Sequence, residues 1–230
     1  MSVDEAAERP VGSASRRERA VARVVDPARA RAETRVQRFL DAALELMGGA
    51  SGKDFTVQEV VERSGQSLRS FYQYFDGKHE LLLALFEDSV RNAAAQLQAH
   101  IEGETDPLER LHITVVEYYK LCRPPSKGRG GRKAPAALAE FAQQLLADHP
   151  KEASRAFTPI VEFFEEVLAD AAAAGVVRAD MRSRRIAGFV LQSVMFNAFV
   201  TTISGSWRAE GDDVAEEMWD LLLHGLEAPS

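Results

Sequence analysis

One short stretch of the chain carries side chains whose chemistry suits a DNA duplex. Arg69 and Gln73 are the candidate base readers, because Arg pairs well with guanine and Gln with adenine in the major groove. Ser67, Ser70 and Tyr72 carry hydroxyls that we expect on the outward side, where they suit phosphate oxygens. The stretch therefore predicts a nucleic-acid contact that combines base reading with phosphate binding.

Three further residues extend this candidate contact. Thr56 opens a helix, and its hydroxyl and the free backbone amides beside it can take a phosphate. Tyr74 can stack on sugar and backbone. Leu68 leaves two alternatives open. It can face the DNA and touch a thymine methyl group, or the helix can roll so that Leu68, rather than Gln66, packs inward.

Two short helices must position these side chains. Thr56 and Glu59 have the spacing of a capping box, and Ser64-Gly65 ends the helix that they open. Ser67 can cap a next helix that runs through Tyr74. Two short helices joined by a tight Gly-containing turn predict a helix-turn-helix over residues 56–75, whose second helix fits the major groove.

The rest of the chain also has helical periodicity, and no stretch alternates like a strand. One helix is expected from Arg31 to Gly48, and a long one from Lys78 to about Ile101. Further helices are expected over 106–121, 135–148, 151–174, 183–204 and 212–226. Residues 1–30 are poor in large apolar side chains and rich in Arg, which predicts a flexible basic arm that either is solvated or follows DNA.

Charge is divided unevenly along the chain. Residues 9–78 hold 13 Lys+Arg against 9 Asp+Glu, whereas residues 79–230 hold 15 against 23. A basic front and an acidic rear favour a protein in which only the front meets phosphates.

Over roughly residues 33–90 the sequence resembles the TetR family of bacterial regulators. The positions that carry the resemblance are Thr56, Gly65, Ser67, Tyr72, Phe75, Lys78, Leu81 and Leu82, with apolar Phe55 and Phe71 and the segment AALELM at 42–47. The resemblance implies that Lys78 contacts phosphate. It also implies an all-α fold, with a helix-turn-helix domain over 31–78 and a larger helical domain over 79–230 that binds a small effector and dimerises.

The last two predicted helices give this dimerisation independent support. The helix over 183–204 is apolar nearly all round, so it must be buried on all sides, by the protein's own interior and by a partner subunit. The last helix carries one apolar stripe. The candidate interface residues are Val194, Val200, Val214, Met218, Leu221, Leu222 and Gly225. A single large monomeric core is the alternative, but a palindromic DNA site favours two-fold symmetry.

An effector pocket is expected among the aromatic residues of the C-terminal part, where Gln192 and Asn197 can orient a ligand. The candidate pocket residues are Tyr118, Tyr119, Phe141, Phe163, Gln192, Phe196 and Asn197. These polar residues can equally be satisfied core groups. Charge is not clustered there, which favours a mainly apolar effector.

An enzyme is not expected, because no nucleophile elbow, dinucleotide-binding loop or paired-cysteine site is present. No metal site or cofactor is expected either, since the five histidines are scattered and lack metal-ligand spacing with carboxylates. The sequence contains no apolar run of membrane-spanning length and no signal peptide, and its lone Cys122 fits the reducing cytoplasm.

The sequence therefore predicts a cytoplasmic homodimer that binds a palindromic DNA operator and is released by a small effector. Repression rather than activation follows from the family resemblance alone. Two alternatives are a small-molecule-binding helical protein without specific DNA binding, and a DNA-binding protein without sequence preference.

Overall fold

The computed structural model describes residues 16–49, 54–123, 133–178, 182–204 and 213–226. These residues form ten α-helices and no strand, which confirms the all-α prediction. The helices are α1 Arg16–Gly48, α2 Val57–Ser64, α3 Leu68–Phe71, α4 Lys78–His100, α5 Pro107–Cys122, α6 Lys133–Asp148, α7 Pro150–Ala156, α8 Thr158–Ala173, α9 Ser183–Ser204 and α10 Asp213–Leu226. None of these described helices is long and apolar enough to cross a bilayer.

The chain divides into two compact units, residues 1–38 and residues 39–230. The first unit contains the start of α1, which begins at Arg16 rather than at Arg31 as expected. Pro27 lies inside the helix and removes one backbone donor, but the Ala- and Arg-rich segments on both sides are strong helix formers that continue through it. Residues 1–15 of the expected arm lie outside the described residues, and a contact between this arm and DNA stays a prediction.

The core of the second unit is built around α4. This helix packs against α5, α6, α7 and α8, and α9 packs against α5, α6 and α8. Burial along α4 recurs at helical spacing through Leu81, Leu85 and Phe86, which become buried in these contacts. A fully buried stripe of this kind contributes about 1.5–3 kcal/mol per large apolar side chain.

The helices after residue 100 start and end close to their expected positions, with one difference. The single helix expected over 151–174 is two helices, α7 and α8, which meet at Phe157. Pro159 explains the break, because a proline lacks the backbone N–H and is tolerated only in the first turn of a helix, where α8 places it.

Candidate nucleic-acid interface

The first helix of the predicted helix-turn-helix starts with a complete capping box. The Thr56 Oγ1 accepts a hydrogen bond from the Glu59 backbone N–H at 3.2 Å, and the Glu59 Oε2 accepts one from the Thr56 N–H at 2.7 Å. This reciprocal pair satisfies two amides that a helix start otherwise leaves without partners. The capping prediction is confirmed, and it fixes where α2 begins.

The turn between the two helices depends on the left-handed backbone of Gly65, at φ +67°. Its N–H donates to the Glu62 carbonyl at 3.3 Å, and the Gln66 N–H donates to the Val61 carbonyl at 3.2 Å. These two bonds are a Schellman motif, which closes the C-terminus of α2 and turns the chain toward α3.

Replacing Gly65 with Ala should lower the free energy of unfolding by about 1–2 kcal/mol. A Cβ at Gly65 meets no atom within 4 Å, so the cost is backbone strain alone. Urea unfolding followed by circular dichroism measures it. Gly77→Ala is the matched control, since Gly77 is also free of neighbours but extended, at φ 171°. Equal stability of the two variants would contradict the strain argument.

Aromatic rings pack against the buried side of the motif's second helix. α3 is regular only from Leu68 to Phe71 and continues as turns, in which Tyr74 N–H and Phe75 N–H both donate to the Phe71 carbonyl at 3.0 Å. It therefore ends before Tyr74, where its end was expected. The fully buried Phe71 ring packs edge-on against Phe39, with centroids 5.4 Å apart, and Phe75 packs 5.4 Å from Phe71. Phe71 and Phe75 therefore have a structural role, since they pack this segment onto Phe39 of α1.

The opposite side of the same segment is exposed. Arg69, Gln73 and Ser67 are exposed, as are Tyr72 at 56% and Leu68 at 43%. Of the two alternatives for Leu68, the structure has the outward one, and Gln66 is the half-buried residue. Tyr74 is half-buried as well. Four side chains thus form an outward-facing set, which we call the reading face: Leu68, Arg69, Tyr72 and Gln73.

Ser70 does not belong to this face. Its Oγ atom is buried and has no hydrogen-bond partner among the described residues. The expectation that its hydroxyl points outward is therefore wrong. Its backbone N–H is used locally, since it donates to the Ser67 Oγ at 3.1 Å.

The candidate phosphate contacts at Thr56 and Lys78 are linked through Glu59. The Thr56 hydroxyl donates to the Glu59 Oε2 at 2.9 Å, so it is already engaged in the capping box. The Lys78 ammonium lies 4.4 Å from the centroid of the Phe55 ring. It also attracts the Glu59 carboxylate. A phosphate contact by either residue stays a prediction. The position of the Lys78 ammonium close to α2 is compatible with such a contact.

The capping box gives α2 a pH-dependent stability. The backbone N–H of Thr56 lowers the pKa of Glu59 below its usual 4.5, and the Thr56 hydroxyl and the Lys78 charge act in the same direction. A carboxyl group whose pKa is depressed by folding stabilises the protein above its unfolded pKa, and this stabilisation is lost as pH falls through the folded pKa.

We therefore expect Glu59→Gln to be less stable than the native chain at pH 7, with a difference that disappears as pH falls below 4.5. Urea midpoints measured across this range test it. Glu62→Gln, on the same helix but outside the capping box, is the control and should show no such convergence. A pH-independent difference for Glu59→Gln would refute the electrostatic origin.

The seven expected pocket residues differ in their burial. Tyr118, Tyr119, Phe141 and Phe163 are buried, whereas Gln192 and Phe196 are exposed. These two were placed wrongly, because α9 is apolar on several sides and its inner face could not be recognised from its composition. Asn197 is half-buried, and its Oδ1 accepts a hydrogen bond from the Tyr119 hydroxyl at 3.3 Å.

The buried aromatic residues form two clusters rather than one. Tyr118 contacts Phe164 at a centroid distance of 5.3 Å, and Phe163 contacts Phe164 at 6.0 Å. Phe141 instead contacts Phe86, 6.2 Å away. Burial raises the pKa of the Tyr118 phenol well above its usual value. It also raises the pKa of the Cys122 thiol to about 12. The surroundings of Tyr118 therefore have low polarity.

The candidate dimer face is exposed on α9 and α10. Large apolar side chains are exposed there at Phe189 (56%), Phe196 (63%), Val200 (44%) and Leu221 (72%). Val214, Met218 and Leu222 are half-buried and Gly225 is exposed. Val194 is fully buried within the chain, so its expected place in an interface is wrong. Its position was misjudged for the same reason as that of Phe196, since both lie on the helix that is apolar all round.

α10 is fixed to α5 in an orientation that leaves Leu221 outside. Trp219 is buried and its ring lies 5.1 Å from the His112 ring. The His112 Nε2 lies 2.7 Å from the Glu216 Oε2. Burial alone would lower the pKa of His112, but Glu216 and Glu109 outweigh it, so this pKa is raised.

The structure also brings together residues that the sequence showed as scattered. His79, at the start of α4, lies beside His149 and Glu152, and the possible ligand atoms of all three are within 4.8 Å of one another. The available signal was the i, i+3 spacing of His149 and Glu152. The partner His79 is far away in the sequence and could not be recognised from it.

Comparisons with known proteins agree with this architecture. Residues 39–85 match the family described as "Bacterial regulatory proteins, tetR family". The HTH-type transcriptional regulator YvdT of Bacillus subtilis is 24% identical over 83 residues, which are 36% of this chain and 43% of that protein. The chain thus matches less than half the length of this curated relative.

Solved structures extend the likeness over most of the chain. A TetR-family transcriptional regulator from Pectobacterium atrosepticum superposes with a TM-score of 0.67 at 20% identity, covering 87% of this chain and 98% of that one. The regulator FadR from Bacillus subtilis, solved with stearoyl-CoA, gives a TM-score of 0.64 at 15% identity, covering 82% and 98%. These likenesses show a common fold.

The expectation that the chain is not an enzyme agrees with this likeness to regulatory proteins. The sequence resemblance is confirmed as well, since the matched segment contains the capping box, the Gly65 turn and the reading face. Residues 39–85 are thus similar to the TetR family of bacterial regulatory proteins, and the solved structures extend this likeness as a common fold.

Proposed function

We propose that the protein is a sequence-specific transcriptional repressor that binds a palindromic DNA operator as a homodimer and is released by a small apolar effector. One observation carries the proposal. The reading face presents Arg69 and Gln73 to solvent on a turn whose opposite side is fixed by the buried Phe71 and Phe75. A rigid support with exposed Arg and Gln side chains is what base reading in a major groove requires.

Dimerisation follows from the exposed apolar side chains of α9 and α10. Phe189, Phe196 and Leu221 are more than half exposed, which is costly for a monomer in water. A two-fold interface would cover them with their own copies, and it would place two reading faces about one helical turn of DNA apart.

For the effector we propose a molecule with a long apolar chain, such as an acyl-CoA. The support is the low polarity around Tyr118 and the Tyr119–Asn197 hydrogen bond, which sets one polar pair among apolar side chains. The similar fold of the B. subtilis FadR, solved with stearoyl-CoA, points the same way. Adding stearoyl-CoA should release a labelled operator, whereas free CoA should not. Release by neither compound would overturn this choice of effector.

The first experiment is fluorescence anisotropy of the purified protein on a labelled duplex from its own upstream intergenic region, with a scrambled duplex and a salt series. Tight, salt-sensitive binding that favours the native duplex supports a specific regulator. Equal binding to both duplexes favours the alternative of a DNA-binding protein without sequence preference, and footprinting would then protect no discrete palindrome. Lack of binding at low salt favours a small-molecule-binding protein.

Replacing Arg69 with Ala should cost about 1–3 kcal/mol of operator affinity at its base pair and relax the preference there. Lys78→Ala is the comparison, because loss of a phosphate contact should weaken all sequences alike and reduce the salt slope by about 1. Anisotropy on a set of single-base operator variants separates the two effects. An unchanged operator preference in Arg69→Ala would show that another residue reads the bases.

Coupling between effector and operator is proposed to run through α4. This helix starts three residues after Phe75 and packs along α5 and α8, which carry Tyr118 and Phe163. A ligand that shifts these contacts would change the spacing of the two reading faces. Equal operator affinity with and without saturating effector would contradict the coupling. Since the proposed target is chromosomal DNA, a cytoplasmic location is part of the same proposal.

A further inference from the structure

Three side chains from two separate parts of the chain converge beside the start of α4. His79 lies in the first turn of α4, His149 directly precedes α7, and Glu152 lies in the first turn of α7. The His79 Nε2 is 3.2 Å from one carboxylate oxygen of Glu152, and the His149 Nδ1 is 3.7 Å from the other. The two imidazole rings are 4.9 Å apart.

We propose that His79, His149 and Glu152 bind a divalent transition-metal ion, with Zn²⁺ as the natural choice. Zinc binds His nitrogen and carboxylate oxygen at about 2.0–2.2 Å in tetrahedral geometry, which separates neighbouring ligand atoms by roughly 3.3 Å. The observed separations of 3.2 and 3.7 Å are close to this value. The two distances involve different oxygens of Glu152, and the possible ligand atoms of all three residues lie within 4.8 Å of one another, so side-chain rotation would bring them around one ion.

The donor set and its surroundings favour a transition metal over Mg²⁺ or Ca²⁺. Imidazole suits zinc, copper and nickel, whereas the two alkaline-earth ions prefer oxygen ligands alone. The three side chains are 39–51% exposed, so an ion can enter from solvent and keep water in the fourth position. The Phe141 ring, 6.0 Å from the His79 ring, forms an apolar wall on one side.

The position of the site suggests what the ion would do. His79 follows Lys78 directly, and α4 begins just beyond the turn that follows the reading face. A metal bridge would fix the first turn of α4 to α7, which packs against α4 and α8. If the proposed DNA binding holds, the ion would therefore change operator affinity by holding α4 in one orientation relative to α7.

Binding is tested directly on the full-length protein after it has been stripped with a chelator. Titration with Co²⁺ should give one equivalent per chain, with the intense visible absorption of tetrahedral cobalt, and Zn²⁺ should displace it. His79→Ala and Glu152→Gln should each weaken binding by more than about 100-fold, since even residues behind metal ligands contribute 10- to 100-fold. His100→Ala is the control, because His100 is exposed on the same helix but pairs with Glu117.

The variants replace exposed side chains, and circular dichroism checks that they remain folded. No stoichiometric Co²⁺ binding, or binding that survives both variants, would overturn the site. Operator anisotropy with and without Zn²⁺ is a separate readout. Metal binding without any change in operator affinity would keep the site and overturn its regulatory role, and failure of DNA binding would leave the cobalt result untouched.

Discussion

Replacing Phe71 with Ala should destabilise the protein by about 3–5 kcal/mol and abolish operator binding. The ring is fully buried and contacts Phe39, Phe75 and Tyr72, each at a centroid distance of 5.4 Å. Its removal leaves a cavity under a helix of four residues, too short to be stable alone. Urea unfolding measures the stability, and anisotropy measures operator binding.

Leu68→Ala is the matched control for this prediction. Leu68 lies three residues earlier in the same segment but is 43% exposed, so its truncation should change stability by less than about 0.5 kcal/mol. Phe71→Leu should recover part of the loss, because it fills most of the cavity. If the Phe71→Ala protein had the same urea midpoint of unfolding as the native protein, the aromatic cluster would not be what holds α3.

Replacing Phe196 with Glu should raise the dimer dissociation constant roughly a thousand-fold. A buried interface anchor contributes about 2 kcal/mol or more, and a two-fold interface changes both copies at once, which gives about 4 kcal/mol in total. Because the Phe196 side chain is 63% exposed within its own chain, the fold of the monomer should be retained. Analytical ultracentrifugation over a concentration series measures the dissociation constant.

Leu146→Glu controls for the general effect of adding a surface charge. Leu146 is also 43% exposed, but it lies on α6 and is not part of the candidate dimer face on α9 and α10. It should leave the dimer intact. If Phe196→Glu also remained a dimer, the interface would have to lie on another surface. If both variants dissociated, net charge rather than the α9 face would control association.

The order and ends of most helices could be predicted because local chemistry marks them. Thr56 with Glu59 opens α2, Gly65 closes it, and Pro107 lies at the start of α5. The prediction was wrong for the segment before Arg31, where few large apolar side chains indicated an arm but α1 already begins at Arg16 and continues through Pro27. It was also wrong at Pro159, whose effect was missed, although it separates α7 from α8.

Side-chain direction was harder to predict than helix position. On α2 the apolar residues Val60 and Val61 stand among polar neighbours, and both are buried. On α9 apolar residues occur on every side, so the sequence could not show that Val194 faces inward and Phe196 outward. Which side of α9 is buried depends on where α5 and α8 pack against it, and the sequence of α9 alone does not show this. The same holds for His79 and His149, which meet only through tertiary packing.

The alternation of buried and exposed side chains along residues 68–75 has a consequence for evolvability. The buried pair Phe71 and Phe75 holds the segment, whereas the four residues of the reading face are exposed, although the Tyr72 ring also contacts Phe71. Surface substitutions of this kind usually change stability by no more than about 0.5 kcal/mol. A library randomised at these four positions should consist largely of folded proteins, so new operator preferences can be selected from this scaffold without stabilising mutations elsewhere.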